Sequence, residues 1–588
     1  MKKQLIKKAI SIFSLLVAGL SYSQSNTENY ALSKTCLDED CTKKSEIITY
    51  FDGLGRAKQI ISVKSTPSGK DMVTPITYDG FGRQIKDILP TPVASQNSMI
   101  HSGITDENYA NSYYGVANAF AEKQIENSPL NRVLQQANPG DAWKMSSGKT
   151  QKFKYEANAG NEVKKFVTTT SISTVNGISN TVSALSVFSD NSGNYPAGTL
   201  YKNTVTDEDG NSVVQFTNGR GQTLLIRRND GTQNIDTYYV YNEYNQQAFV
   251  ITPKAVKQIE QNNNVITDLI LNELCYQYKY DGQDREVEKK LPGKDWIFTV
   301  YDTQDRAVLV QDGNLRISTN NFNGKGWLFT KYDEFGRVVY TGFFSNTATR
   351  QVMQNVLNSM SANPYNNEKR SSTPFNLAGV DVYYDKKGFP TGSMTILTIN
   401  YYDTYPPEIS FVPTSILDQY ALQNTLGVSD DASVKNLQTA SYVRNIEDDK
   451  WTKNYIYYDS KGRVIGTRTT NHLGGYTNKD FKLNFTGLAK ESNTYHRKTR
   501  VSPEVVVKER FIYDDQGRVL KHYHQVDNKP EELLAENSYN DLSQLINKKV
   551  GNHLQSIDYA YNIRGWLTGI NKDQMAVPNL DGKLLHIK

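Results

Sequence analysis

Cysteine is scarce in this 588-residue chain, at three residues, Cys36, Cys41 and Cys275. That excludes a disulfide-built scaffold, and with no further Cys or His at ligand spacing it argues against a zinc module. Apolar residues are also few, 38%, against roughly 45–50% in compact domains. A thick core buried on both sides is not available, whereas a sheet with one buried and one wetted face is. The longest apolar run, Ala9 to Leu20, has twelve residues, too short to span a bilayer. Charge of one sign is missing too. Lys2, Lys3, Lys7 and Lys8 fall in the first 23 residues, and the remainder balances at 62 basic against 62 acidic. No electrostatic case exists for nucleic acid or an anionic membrane as partner.

Catalytic motifs are likewise absent. There is no Gly-x-Ser-x-Gly elbow and no His-Glu-x-x-His. Gly148-Lys149-Thr150 ends like a phosphate loop, but Trp143 stands where its first Gly is required. Asp207-Glu208-Asp209-Gly210 places its Gly too early for a calcium loop. His522 and His524 share a face of an expected strand, and two ligands do not make a metal site. The chain is expected to be no enzyme and to use no cofactor.

What the chain has is a recurring corner. In Tyr332-Asp333-Glu334-Phe335-Gly336-Arg337 the Asp suits the start of a tight turn, and the Gly suits a position of positive φ before the next strand. The flanks, Trp327 to Thr330 and Val338 to Tyr340, are aromatic and β-branched. Full copies carry Asp79, Gly82 and Arg83; Asp459, Gly462 and Arg463; and Asp514, Gly517 and Arg518. Asp52, Gly55 and Arg56 follow Phe51 instead of Tyr. The pairs Asp281/Arg285 and Asp302/Arg306 have Asp284 and Asp305 in the Gly slot. Looser copies run Tyr241 to Gln246, Tyr384 to Phe389, Tyr539 to Gln544 and Tyr561 to Trp566. Across the eleven copies that slot is Gly, Asn or Asp in all but one, the residue types that tolerate the left-handed region. The motif reads as guarding a backbone conformation, with its Arg a partly exposed ionic contact worth about 0–1 kcal/mol. Adjoining copies lie 21 to 31 residues apart from Asp to Asp, a period that signals stacked supersecondary units. Tyr, at 38 against 21 Phe, suits half-buried strands.

Tyr-Asp-x-x-Gly-Arg at this recurrence resembles the YD repeats of the RHS family, which includes bacterial Rhs toxins, shell subunits of insecticidal toxin complexes and the teneurins. The stretch holding Tyr50 to Arg56, Gly69-Lys70-Asp71, Tyr78 to Arg83, Leu89-Pro90 and Ser128 to Arg132 resembles the uncharacterised domain that precedes such repeats in secreted bacterial proteins. The resemblance implies antiparallel hairpins wound into a hollow shell around a toxic C-terminal domain. It covers most of residues 45 to 571. The family's self-cleaving Asp-Pro-x-Gly segment and toxin domain have no counterpart here.

The expected fold is therefore mainly β, a spiral or shell-like sheet of YD hairpins with a few inserted helices. The expected divisions are a signal peptide over 1–23, cleaved before Gln24; an N-terminal RHS-associated domain over 24–145; a β-rich segment with degenerate corners over 146–240; and a YD-repeat segment over 241–588, incomplete at its C-terminal end with an uncapped edge. Helices are expected at Pro253 to Glu260, at Thr267 to Tyr276, along Val352 to Met360, and at Ser415 to Leu422. Cys36 and Cys41 either close a small disulfide or remain free thiols, and Cys275 is expected as a buried free thiol. Two functions stay open for an exported chain. One is a structural shell segment whose full-length relatives enclose a toxin, with a toxin domain or downstream core as partner. The other is a surface module that binds glycans or proteins through its aromatic sheet.

Overall fold

The computed structural model describes residues 28–190, 193–377, 379–409, 411–424 and 433–571. The expected signal peptide, and the tail beyond residue 571, lie outside the described residues. The fold is mainly β and antiparallel. It begins with a five-stranded sheet of Asn29–Cys36, Lys44–Phe51, Ala57–Val63, Asp71–Pro75 and Thr91–Val93. Alternation of buried and half-exposed residues along Ala57–Val63 and Asp71–Pro75 puts Ile61, Val63 and Val73 on Ile48, Tyr50 and Ile104. The structure joins Cys36 to Cys41 across the first turn of this sheet.

The chain then enters a closed barrel of 27 strands. Lys86–Ile88, Phe120–Ile125, Val133–Ala137 and Gln151–Ala157 come first, and Gln151–Ala157 pairs with Tyr201–Thr206. From there the strands follow one another in sequence order to Leu567–Ile570, with two skips. Val338–Ser345 pairs directly with Met394–Tyr402, and that strand with Gln438–Arg444. The skipped segments, like Phe166–Val187 earlier, fold as hairpins set on the sheet.

Helices lie between barrel strands: α1 (Asn108–Tyr114), α2 (Pro253–Gln261), α3 (Asp268–Leu274) and α4 (Arg350–Asn358). Thr252, Thr267 and Thr349 cap α2, α3 and α4 by accepting a first-turn N–H. Among the described residues, apolar side chains gather in five clusters spaced along the chain, as a low apolar content requires. The largest holds Trp327, Phe329, Tyr340, Tyr401 and Tyr442 under α4 and the hairpin Arg370–Tyr384.

Four expectations are corrected. The helix expected over Thr267 to Tyr276 stops at Leu274, and Cys275 opens the strand Cys275–Tyr280. Its thiol is buried, and burial pushes its pKa up to about 12. Ser415 to Leu422 is a miniature hairpin, Ser415–Ile416 against Gln419–Tyr420, because Leu417 and Asp418 both take positive φ. The copy at Tyr384 to Phe389 is no corner. Its strand pairs back on Arg370–Leu377, and Gly388 donates to Glu368 at 3.0 Å. Pro390, which follows Phe389, could not donate to an outgoing strand. Finally, the corner at Asn562 is not a free edge. Ile563 packs on Ile88, Ala119 and Phe120, and the Arg564 guanidinium lies 4.1 Å from the Trp143 ring centroid.

Candidate functional site: a rim of linked corners

Each corner is built the same way. Asp333 N–H donates to the Arg337 carbonyl at 3.0 Å, and Gly336 N–H donates back to the Asp333 carbonyl at 3.1 Å. The Asp333 carboxylate accepts the N–H groups of Phe335 and Arg337 at 2.9 Å on one oxygen and Arg337 Nε at 2.7 Å on the other. The strand register slips by one residue between Lys331 and Tyr332, and Gly336 has φ +78°. Together these make a tight turn closed by a bulge with its left-handed residue in the Gly slot. Asp52, Asp79, Asp281, Asp302, Asp459 and Asp514 repeat the carboxylate pattern with Arg56, Arg83, Arg285, Arg306, Arg463 and Arg518. Gly55, Gly82, Gly462 and Gly517 repeat the positive φ, and Asn245, Asp284, Asp305 and Ser543 take it in the substituted copies. In the looser corners Asn242, Asn540 and Asn562 stand in for Asp, each accepting two backbone N–H groups. Backbone bonds donated into the turn help hold Asp52 and Asp79 below the usual carboxylate range, with Arg56 and Arg83 adding to the effect.

The side chains do more than the sequence reading allowed. The Arg of one corner reaches the next. Arg285 donates to the Asp302 carbonyl at 3.2 Å, Arg306 to the Asp333 carbonyl at 3.1 Å and Arg463 to the Asn484 carbonyl at 3.1 Å. Arg337 grips both carboxylate oxygens of Asp403, at 3.2 and 2.5 Å. That fork holds the Arg337 pKa above its ordinary value. The same guanidinium faces cover the next tyrosine: Arg56 on Tyr78, Arg285 on Tyr301, Arg306 on Tyr332 and Arg337 on Tyr402, at 4.4 to 5.0 Å. The tyrosine hydroxyl completes the link by donating to the carbonyl just past the preceding Arg. Tyr78 donates to Ala57, Tyr301 to Glu286, Tyr332 to Ala307, Tyr402 to Val338 and Tyr539 to Val519, at 2.8 to 3.2 Å. So Tyr, Asp and Arg each have a stereochemical role, and the Tyr and Arg roles run between units.

The N-terminal sheet docks on the last corners by the same means. Arg518 donates to the Ser65 carbonyl at 3.1 Å, Lys70 pairs with Asp541 at 2.8 Å and Lys43 with Asp515 at 2.9 Å. A corner that the sequence reading missed, Asn484 to Leu488 with Gly487 at φ +95°, receives Arg463. The Asn-x-x-Gly spacing could have revealed it. Corner tips present apolar side chains to solvent, among them Leu54, Phe81, Phe335 and Tyr244. Away from the rim, His522 bonds Glu509 at 3.0 Å and stacks on Phe511. Among the described residues no helix is long and apolar enough to cross a membrane.

A repetitive β-wall in which several hairpin corners are locked to the next is a structural class, that of β-shells. Comparison with known proteins gives the particulars. Residues 23–157 match the model of a domain of unknown function, DUF6443. No curated protein matches the chain by sequence. The crystal structure of TcdB2-TccC3-Cdc42 superposes with a TM-score of 0.56 at 11% identity, over 92% of this chain and 21% of that one. A Tc holotoxin pore from Photorhabdus luminescens gives 0.54 at 10% identity, over 92% and 21%. TcdB2-TccC3 gives 0.53 at 11%, over 92% and 22%. The likeness is one of fold, and the chain spans about a fifth of the length of these structures. The fold is thus one that this chain shares with part of these Tc toxin structures.

Proposed function

We propose that the chain is a non-catalytic section of an exported RHS-type shell wall, whose task is to surround a polypeptide cargo such as a toxin domain. The observation that carries this reading is the unit-to-unit lock, Arg to the next Asp carbonyl and Tyr to the previous strand. It stiffens a wide wall without a central core. A barrel of 27 strands spaced about 4.8 Å apart would measure at least about 40 Å across, room for a chain segment within it. Export is supported by the Lys-rich, apolar N-terminus and by the Cys36–Cys41 pair. A second reading, a surface that binds glycans or proteins, draws on the exposed tips Phe81, Phe335 and Trp566. The test is protease protection of a small unstructured reporter fused after Lys588. Digestion much slower than that of the free reporter supports enclosure. An unchanged digestion rate, with a glycan array showing clear binding, moves the assignment to the surface module.

A further inference from the structure

Beside the Asp281 corner, whose Asp281 bridges Asn180, a cavity of about 490 Å³ opens between the hairpin Phe166–Val187, the strands Cys275–Tyr280 and Glu286–Lys290, and the N-terminus of α4. Its charge is one-sided: Lys279, Arg316, Lys325 and Arg350 line it with the single carboxylate Glu288. Glu288 is already engaged, by Lys279 at 2.9 Å and Arg350 Nε at 3.2 Å. Asp295, outside the lining, pairs with Arg316 at 2.8 Å.

Two guanidinium groups in this wall are incompletely satisfied. Arg350 is 1% exposed, bonds Glu288 and Asn180, and has no acceptor for its buried Nη1. Arg316 donates Nη2 to the Trp296 carbonyl, and its buried Nη1 also has no acceptor. Leaving a buried charged donor unmatched is costly, and both guanidinium groups belong to side chains of this lining. Thr349, Arg350 and Gln351 add the opening turn of α4 to the lining. The Thr349 hydroxyl accepts the Val352 N–H, and the first N–H groups of a helix favour negative charge. Val182 and Ala348 give the cavity an apolar flank.

We propose that this cavity binds a small organic anion, its carboxylate or phosphate group seated against Arg350 and Arg316 and its carbon frame against Val182 and Ala348. Lys325, exposed at the mouth, supplies attraction from outside.

The test titrates full-length protein with citrate, inorganic phosphate and, as neutral control, glycerol, by calorimetry at fixed ionic strength. Saturable binding of citrate or phosphate is expected, and the tighter of the two identifies the preferred head group. Lys325→Glu and Arg316→Gln should each weaken it at least tenfold, with circular dichroism confirming that both variants fold. Lys325→Glu guards against loss of structure, since its side chain is exposed. Absence of saturable heat from both anions, equal binding of glycerol, or unchanged affinity in either folded variant overturns the proposal.

Discussion

The guanidinium of Arg306 lies 4.8 Å from the ring centroid of Tyr332 while its Nη1 donates to the carbonyl of Asp333. One side chain thus closes its own turn through Asp302 and fastens the following one. Arg306→Ala should cost about 2–3 kcal/mol, since charge-assisted bonds at a largely buried pair are lost. Arg306→Lys should recover less than half, because an ammonium cannot make the fork or the stack. Urea denaturation reads both, and a loss below about 0.5 kcal/mol for Arg306→Ala would mean the link is decorative.

Gly336 isolates the backbone term. Its φ is +78° and no atom would lie within 4 Å of an added Cβ, so the cost of substitution is conformational. Gly336→Val should destabilise by about 2 kcal/mol, similar to Arg337→Ala, which loses Asp333, Asp403 and the Tyr402 stack. Gly336→Asn should cost far less, as Asn245 holds the equivalent slot at φ +65°. Equal melting losses for Val and Asn would contradict the turn geometry.

Tyr332→Phe removes one hydroxyl and leaves the ring. The bond to the Ala307 carbonyl, 2.9 Å, predicts a loss of about 1 kcal/mol. No change in the denaturation midpoint would mean water satisfies that carbonyl equally well.

Acid should loosen the N-terminal sheet through Asp71. Burial raises its pKa, but bonds from His101, Lys64 N–H and Gln96 N–H, at 2.9 to 3.1 Å, outweigh burial and bring it down to about 2. A depressed carboxylate contributes stability that is full above its unfolded pKa, near pH 4, and is lost as pH falls toward 2. Amide protection factors across Ile60 to Thr74 should fall across that window, and Asp71→Asn should flatten the dependence. A wild-type profile flat from pH 4 to 2 would remove Asp71 from the account.

How much of this was legible follows from range in sequence. The Asp333 carboxylate and Gly336 act within four residues, so spacing alone revealed the turn. The Arg306 and Tyr332 roles span neighbouring units. Recurrence announced both residues, yet treating one corner at a time left Arg337 as a partly exposed contact within its own turn. Ser415 to Leu422 misled because its apolar spacing fits a helix, while the left-handed pair Leu417 and Asp418 decides otherwise. The docking of Arg518 on Ser65 and of Arg564 on Trp143 joins opposite ends of the chain, and no local pattern encodes it. The anion cavity likewise draws Asn180, Glu288 and Arg350 from three separate segments.

Small-angle X-ray scattering of the chain distinguishes a closed wall around a lumen from a solid particle. A hollow shell places the maximum of the pair-distance distribution beyond half the largest dimension, and that displacement is the expected result. A maximum at or below half, as for a solid particle of this mass, would contradict it.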